Sequence, residues 1–135
     1  MKKSFLAFLG LILIASQSFS QTNREFAMTE GDTTYIMKRY IFCLLMAGPE
    51  RNQDSATVAA IQKGHMEHIQ KMADSGKLVV AGPFEDGGNY RGILVFDVET
   101  TAEAMTIASE DPAVKSGRLK LEAIPWWAAK GTCLP

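Results

Sequence analysis

Between Tyr35 and Trp127 the spacing of apolar residues changes from element to element, and that succession restricts the chain to a small number of folds. Tyr35 to Met46, rich in Tyr, Ile, Phe, Cys and Leu, has the composition of a strand and stops at Gly48-Pro49. After four polar residues Asp54 or Ser55 is placed to cap a helix running toward Ser75 and stopping at Gly76. Val58, Ile61, Ile69 and Met72 share one face of it at about 100° per residue. Lys77 to Ala81 predicts a short strand ending at Gly82-Pro83, and Glu85 to Asn89 a hairpin turn around Asp86-Gly87-Gly88. Tyr90 to Val98 returns beside it, antiparallel.

The second half repeats the order in shorter form. Thr100 and Glu103 are spaced as a capping box, and Ala104, Met105, Ile107 and Ala108 predict a short helix ending near Asp111-Pro112. Beyond the turn Lys115-Ser116-Gly117, the polar Arg118, Lys120 and Glu122 alternate with Leu119, Leu121 and Ala123, a last strand before Pro125. Strand, helix, strand, strand, helix, strand is the ferredoxin-like arrangement of the α+β class, two helices covering one face of a four-stranded antiparallel sheet. The other face would expose a broad apolar surface, which monomers rarely tolerate. A second copy on a two-fold axis is the simplest cover, so a homodimer is expected.

Ahead of this domain, Lys2 and Lys3 precede an apolar run from Phe5 to Ala15 that gives way to Ser16, Ser18 and Ser20. A basic start, a short apolar centre and a small-residue exit describe a secretory signal over residues 1–20, cut near Gln21. The run is too short to span a bilayer, which takes roughly twenty apolar residues, so no stable membrane insertion is expected after cleavage. Export to the periplasm or the extracellular space follows. Residues 21–34 lack apolar periodicity and read as a mobile segment; residues 128–135 form a tail after the domain at 35–127. The chain of 135 residues carries 14 basic and 15 acidic side chains, and two of the lysines lie in the leader, so the remainder is weakly acidic. Such a surface does not suit nucleic acid, which needs clustered Lys and Arg. Cys43 lies in the first strand and Cys133 in the tail. Outside the cytoplasm they either form a disulfide or remain a buried thiol and a tail cysteine.

Candidate chemistry centres on the first helix. Its projection places His65 near the middle of the apolar arc and His68 at the edge. A histidine facing a core requires a polar partner or a cavity, so His65 is either a satisfied structural residue or a general acid or base in a pocket. His65 and His68 are three apart, not the four of the zinc-protease pattern, and no third ligand is indicated, so no metal is expected. Asp111 before Pro112 suits a helix start; against His65 it would also fix the imidazole tautomer and raise its basicity. Gly82, Pro83 and Phe84 either line a pocket mouth or make a turn followed by a core aromatic. Arg91 faces either a ligand carboxylate or solvent. Trp126 and Trp127 are adjacent and point to opposite faces of an extended chain, one toward the core or dimer seam and one nearer the surface.

The residues His65 to Phe84, read as His-x-x-x-Ile-x-x-Met-x-x-x-Gly-Lys-Leu-Val-Val-Ala-Gly-Pro-Phe, followed by Arg91-Gly92-Ile93 and by Asp111-Pro112-Ala113-Val114-Lys115-Ser116-Gly117, resemble the YCII-related domain. The resemblance covers nearly all of Tyr35 to Trp127. It implies a ferredoxin-like subunit paired into a dimeric α/β barrel, with a site built on a His and an Asp at positions 65 and 111 and not at His68. One activity associated with the family is a dehydrochlorinase acting on a chlorinated hydroxyquinol. The secretory leader and the cysteine-bearing tail depart from the family pattern. Two functions fit. One is a small-molecule enzyme without metal or organic cofactor, of lyase or isomerase type, in which His65 moves a proton and Asp111 orients it. The other is a non-catalytic module holding a small ligand in the same pocket, with a purely structural dimer as the limiting case.

Overall fold

A computed structural model of the chain describes residues 23–132 and residue 134. The fifteen-residue strand Thr33–Ala47, β2, organises the sheet. One of its edges pairs antiparallel with β5 (Leu119–Ala129), from Met37 opposite Ala129 to Ala47 opposite Leu119. Its other edge is shared end to end by β1 (Glu25–Glu30), which faces Thr33 to Lys38, and β4 (Tyr90–Phe96), which faces Ile41 to Met46. The short β3 (Leu78–Pro83) flanks β4. The main sheet therefore runs β5, β2, β4, β3, all antiparallel, which is the ferredoxin-like order.

Among the described residues three helices lie between the strands. α1 (Ser55–Asp74) starts at Asp54, whose side chain accepts the Thr57 N–H at 2.9 Å, and closes at Ser75. α2 (Thr101–Ala108) starts at Thr100, which accepts the Glu103 N–H at 3.0 Å. α2 ends before Asp111-Pro112, and that pair instead opens a separate turn of helix, α3 (Pro112–Lys115), with Asp111 as its cap.

Alternate residues of β2 fill the core. Ile41, Cys43 and Leu45 meet Leu94 and Phe96 of β4, and Met72, Ala104 and Ala108 close the layer from the helices. Each large apolar side chain fully buried in this way contributes about 1.5–3 kcal/mol relative to exposure. Cys43 is a buried free thiol; the tail cysteine of the alternative disulfide, and the whole leader, lie outside the described residues.

The opposite sheet face carries Tyr40, Phe42, Ile124 and Trp126. The Trp126 ring sits 6.1 Å from Phe42 and 6.3 Å from Tyr40. Among the described residues no helix covers it: Ile124 is 46% and Trp126 45% exposed. Trp127, on the helix side, meets Phe26 edge-on at 4.9 Å and is itself exposed, so neither tryptophan is buried within a single chain.

Two boundaries differ from the sequence reading. Residues 21–34, expected to be mobile, contain β1 and the start of β2, joined through Gly31 at φ 58° in a two-residue hairpin loop. Arg24 fastens the hairpin by ion pairs to Asp97 and Glu99, and Lys38 reaches the same Asp97 at 2.6 Å. The last strand also continues through Pro125 to Ala129. β5 is an edge strand, where a missing N–H facing away from its neighbour leaves the ladder intact.

Candidate active site

His65 and Asp111 come together because α1 lies close against α3. Gly64 makes that approach possible: a Cβ there would sit 2.9 Å from Cγ of Pro112, inside normal contact. His65 Nδ1 then lies 2.6 Å from Oδ2 of Asp111, while Oδ1 accepts the Ala113 N–H at 2.7 Å. One carboxylate thus performs both tasks foreseen for it, capping a helix and holding the imidazole. The Asp111 side chain is 2% exposed and that of His65 12%. Burial alone would push the carboxyl upward, but the hydrogen bonds from His65 and Ala113 outweigh it and hold Asp111 below the usual carboxylate range. An ionised Asp111 only accepts, so Nδ1 carries a proton, and in the neutral imidazole the lone pair is on Nε2. No described residue hydrogen-bonds Nε2.

His65 forms part of the wall of a cavity of about 430 Å³ between α1 and the sheet. The walls are mainly apolar, with Leu45, Ile61, Ile69 and Leu94 prominent. Gly82, Pro83 and Arg91, singled out in the sequence, line it as well. Phe84 does not: it is 44% exposed and lies outside the cavity, its backbone N–H donating to the Arg91 carbonyl at 2.9 Å. The strand stops at Pro83, where the sequence indicates, and Phe84 follows it as an exposed residue.

Arg51 and Arg118, not singled out in the sequence, also line the cavity. They meet because the loop after β2 packs on the turn before β5, with Gly48 N–H donating to Arg118 O at 2.8 Å and Glu50 N–H to Gly117 O at 3.0 Å. Arg51 Nη1 donates to Arg118 O at 3.1 Å and Arg118 Nη1 to Gln53 Oε1 at 2.8 Å. Their separation of 67 residues leaves no local signal. A lone Arg after Gly-Pro-Glu and a lone Arg after Ser-Gly are the only marks in the sequence.

His68 takes a different direction from His65. Its Nε2 lies 3.0 Å from the Ile107 carbonyl, a tie between α1 and α2. Among the described residues no three His, Cys, Asp or Glu side chains gather as a metal site would need.

Comparison with known proteins agrees with this architecture. Residues 41–127 match the YCII-related domain. Muconolactone isomerase has a similar fold, with a TM-score of 0.53 at 14% identity, covering 71% of this chain and 96% of that one. A 5-chloro-2-hydroxyhydroquinone dehydrochlorinase from Burkholderia phenoliruptrix AC1100, solved with 2,5-dihydroxybenzoquinone, aligns over 64% of this chain and 92% of its own at 17% identity and a TM-score of 0.44. No curated protein matches the chain. With the family match extending from the middle of β2 to Trp127 in β5, the chain belongs to the YCII-related domain family.

Proposed function

We propose that this protein is a cofactor-independent enzyme of the lyase or isomerase type, acting on a small enolisable or aromatic compound with His65 as the proton-transfer group. The observation that carries this reading is the 2.6 Å contact of His65 Nδ1 with Asp111 inside a cavity wall. Asp111 is the positioning residue. It fixes the imidazole in the tautomer whose Nε2 is basic and stabilises the imidazolium that forms. In the forward step Nε2 takes a proton from the substrate, and the electron pair of the broken bond moves into the substrate as a new double bond. In an isomerisation the imidazolium returns the proton at another atom; in an elimination a leaving group departs with its electron pair.

The working unit is a homodimer formed on the open sheet face, which the exposed Ile124 and Trp126 support. It acts outside the cytoplasm, as the basic start and apolar run of residues 1–20 support.

Turnover of a panel of phenolic and chlorinated aromatic compounds, measured for the wild type and for His65→Ala, tests the reading. Activity that disappears in the variant is the expected result. A compound that binds without being turned over would replace the enzyme with a ligand-binding module, which needs His65 for contact only.

A further inference from the structure

The cavity that contains His65 has an unusual charge balance. Arg51, Arg91 and Arg118 line it, and among the described residues no Asp or Glu does. Asp111, which holds His65, is engaged by His65 and the Ala113 N–H. In a chain with more acidic than basic side chains, three guanidinium groups around one hollow without a carboxylate are an unbalanced arrangement. Among the described residues none of the three has an ion-pair partner.

Their hydrogen bonds leave most of their donors free. Arg51 and Arg118 each spend one on a neutral oxygen, a carbonyl and an amide, out of the five N–H groups a guanidinium carries. Arg91 Nε is buried with no hydrogen-bond partner among the described residues, and an unpaired buried donor is costly. Burial lowers the pKa of Arg51, and its neighbours Arg118 and Arg91 lower it further. Its charge survives, since arginine stays protonated in proteins. Like charges gathered in this way are stabilised by an anion placed between them.

We propose that the cavity receives a small organic carboxylate, its anionic end held by Arg51, Arg91 and Arg118 and its apolar body lying along Leu45, Ile61 and Ile69 toward His65. The planar guanidinium fork matches a carboxylate in two parallel hydrogen bonds. A volume of about 430 Å³ suits one small molecule and not a polymer. This inference rests on the proposed function only for what happens after binding, since it concerns what the cavity selects.

Calorimetric titration of the purified full chain, freed of its leader, with benzoate, phthalate and cinnamate, their neutral amides, inorganic phosphate and phenyl phosphate tests it. At least one carboxylate is expected to bind about tenfold or more tightly than its amide, the size of one charge-assisted pair. That preference is expected to fall about tenfold in Arg91→Gln and in Arg118→Gln, with the thermal midpoint unchanged or raised because repulsion is relieved. Arg51→Gln provides a third variant if either of these fails to fold. Equal binding of acids and amides, or carboxylate affinity unchanged in the arginine variants, would overturn the assignment. So would tight binding of phenyl phosphate or inorganic phosphate with none of the carboxylates. Carboxylate binding intact without turnover of any compound defeats the catalytic reading and leaves this one standing; turnover of neutral phenols indifferent to the arginines does the reverse.

Discussion

Replacing Asp111 by alanine and by asparagine separates its two roles. Alanine removes the cap on α3 and the acceptor for His65 together. The lost cap costs about 1 kcal/mol, and an imidazole N–H left without a partner in a site where the carboxylate was 2% exposed costs about 1–3 kcal/mol more. The sum is about 2–4 kcal/mol. Asparagine keeps an oxygen for the Ala113 N–H and so keeps the cap, but it turns its NH₂ toward His65. The imidazole answers by moving its proton to Nε2, so stability falls by only about 1 kcal/mol while the basic lone pair leaves the cavity and turnover drops about 10²–10⁴-fold. Urea denaturation followed by tryptophan emission, at fixed protein concentration because of the proposed dimer, measures the stability terms. The pH dependence has a definite sign. The folded pKa of Asp111 is depressed, so its contribution is complete above the unfolded carboxyl value of about 3.9 and is lost as pH falls through the folded value. The gap between wild type and Asp111→Ala should therefore narrow below about pH 4. A gap that stays constant into strong acid, or an asparagine variant as unstable as the alanine one, would refute the account of how this carboxylate is held.

Gly48→Ala would place a Cβ 2.0 Å from the Gly117 carbonyl oxygen, and the urea midpoint should fall by the equivalent of about 3 kcal/mol, at the upper end of ordinary overpacking because backbone yields less than a side chain. Burial pushes the Cys43 thiol up to about 11, so in a Cys133→Ser background an aromatic disulfide reagent at pH 8 should label it only after unfolding; fast labelling of the native protein would contradict its place in the core. Trp126→Lys should convert the proposed dimer to a folded monomer in sedimentation, since the ring is 45% exposed in a single chain; a mass equal to that of the wild type would count against a seam on this face. Terminal sequencing of the protein recovered outside the cytoplasm should begin near Gln21, and an intact leader would count against cleavage.

What could be read from the sequence follows the range over which the physics acts. The caps at Asp54 and Thr100, the turn at Asp86-Gly87-Gly88 and the apolar arc of α1 are local, and each lies where the residues indicate. Element order then fixed the sheet, because an antiparallel hairpin between two strand-helix-strand units has few packings. β1 escaped notice since Phe26 and Met28 alternate over too short a run to announce a strand, and its stability comes from β2 and from the distant Asp97. Pro125 marked an end because proline usually does; its edge position removes the reason. The identity of His65 was legible from helical phase, but its contact with Asp111 spans 46 residues and depends on a glycine opposite a proline ring. Arg51 and Arg118 were invisible for the same cause. Tertiary geometry alone makes them neighbours.

β2 has one edge that stays vacant until the last strand of the domain has been made. Its partner β5 begins at Leu119, so a chain emerging amino end first exposes the sticky border of Ile41 to Leu45 throughout synthesis of everything between. Closure is correspondingly late and slow, as for any pairing between remote segments. During that interval the nascent domain is open to strand exchange with other unfinished copies, and shortening β5 at its far end would prolong the danger well before it harmed the finished protein.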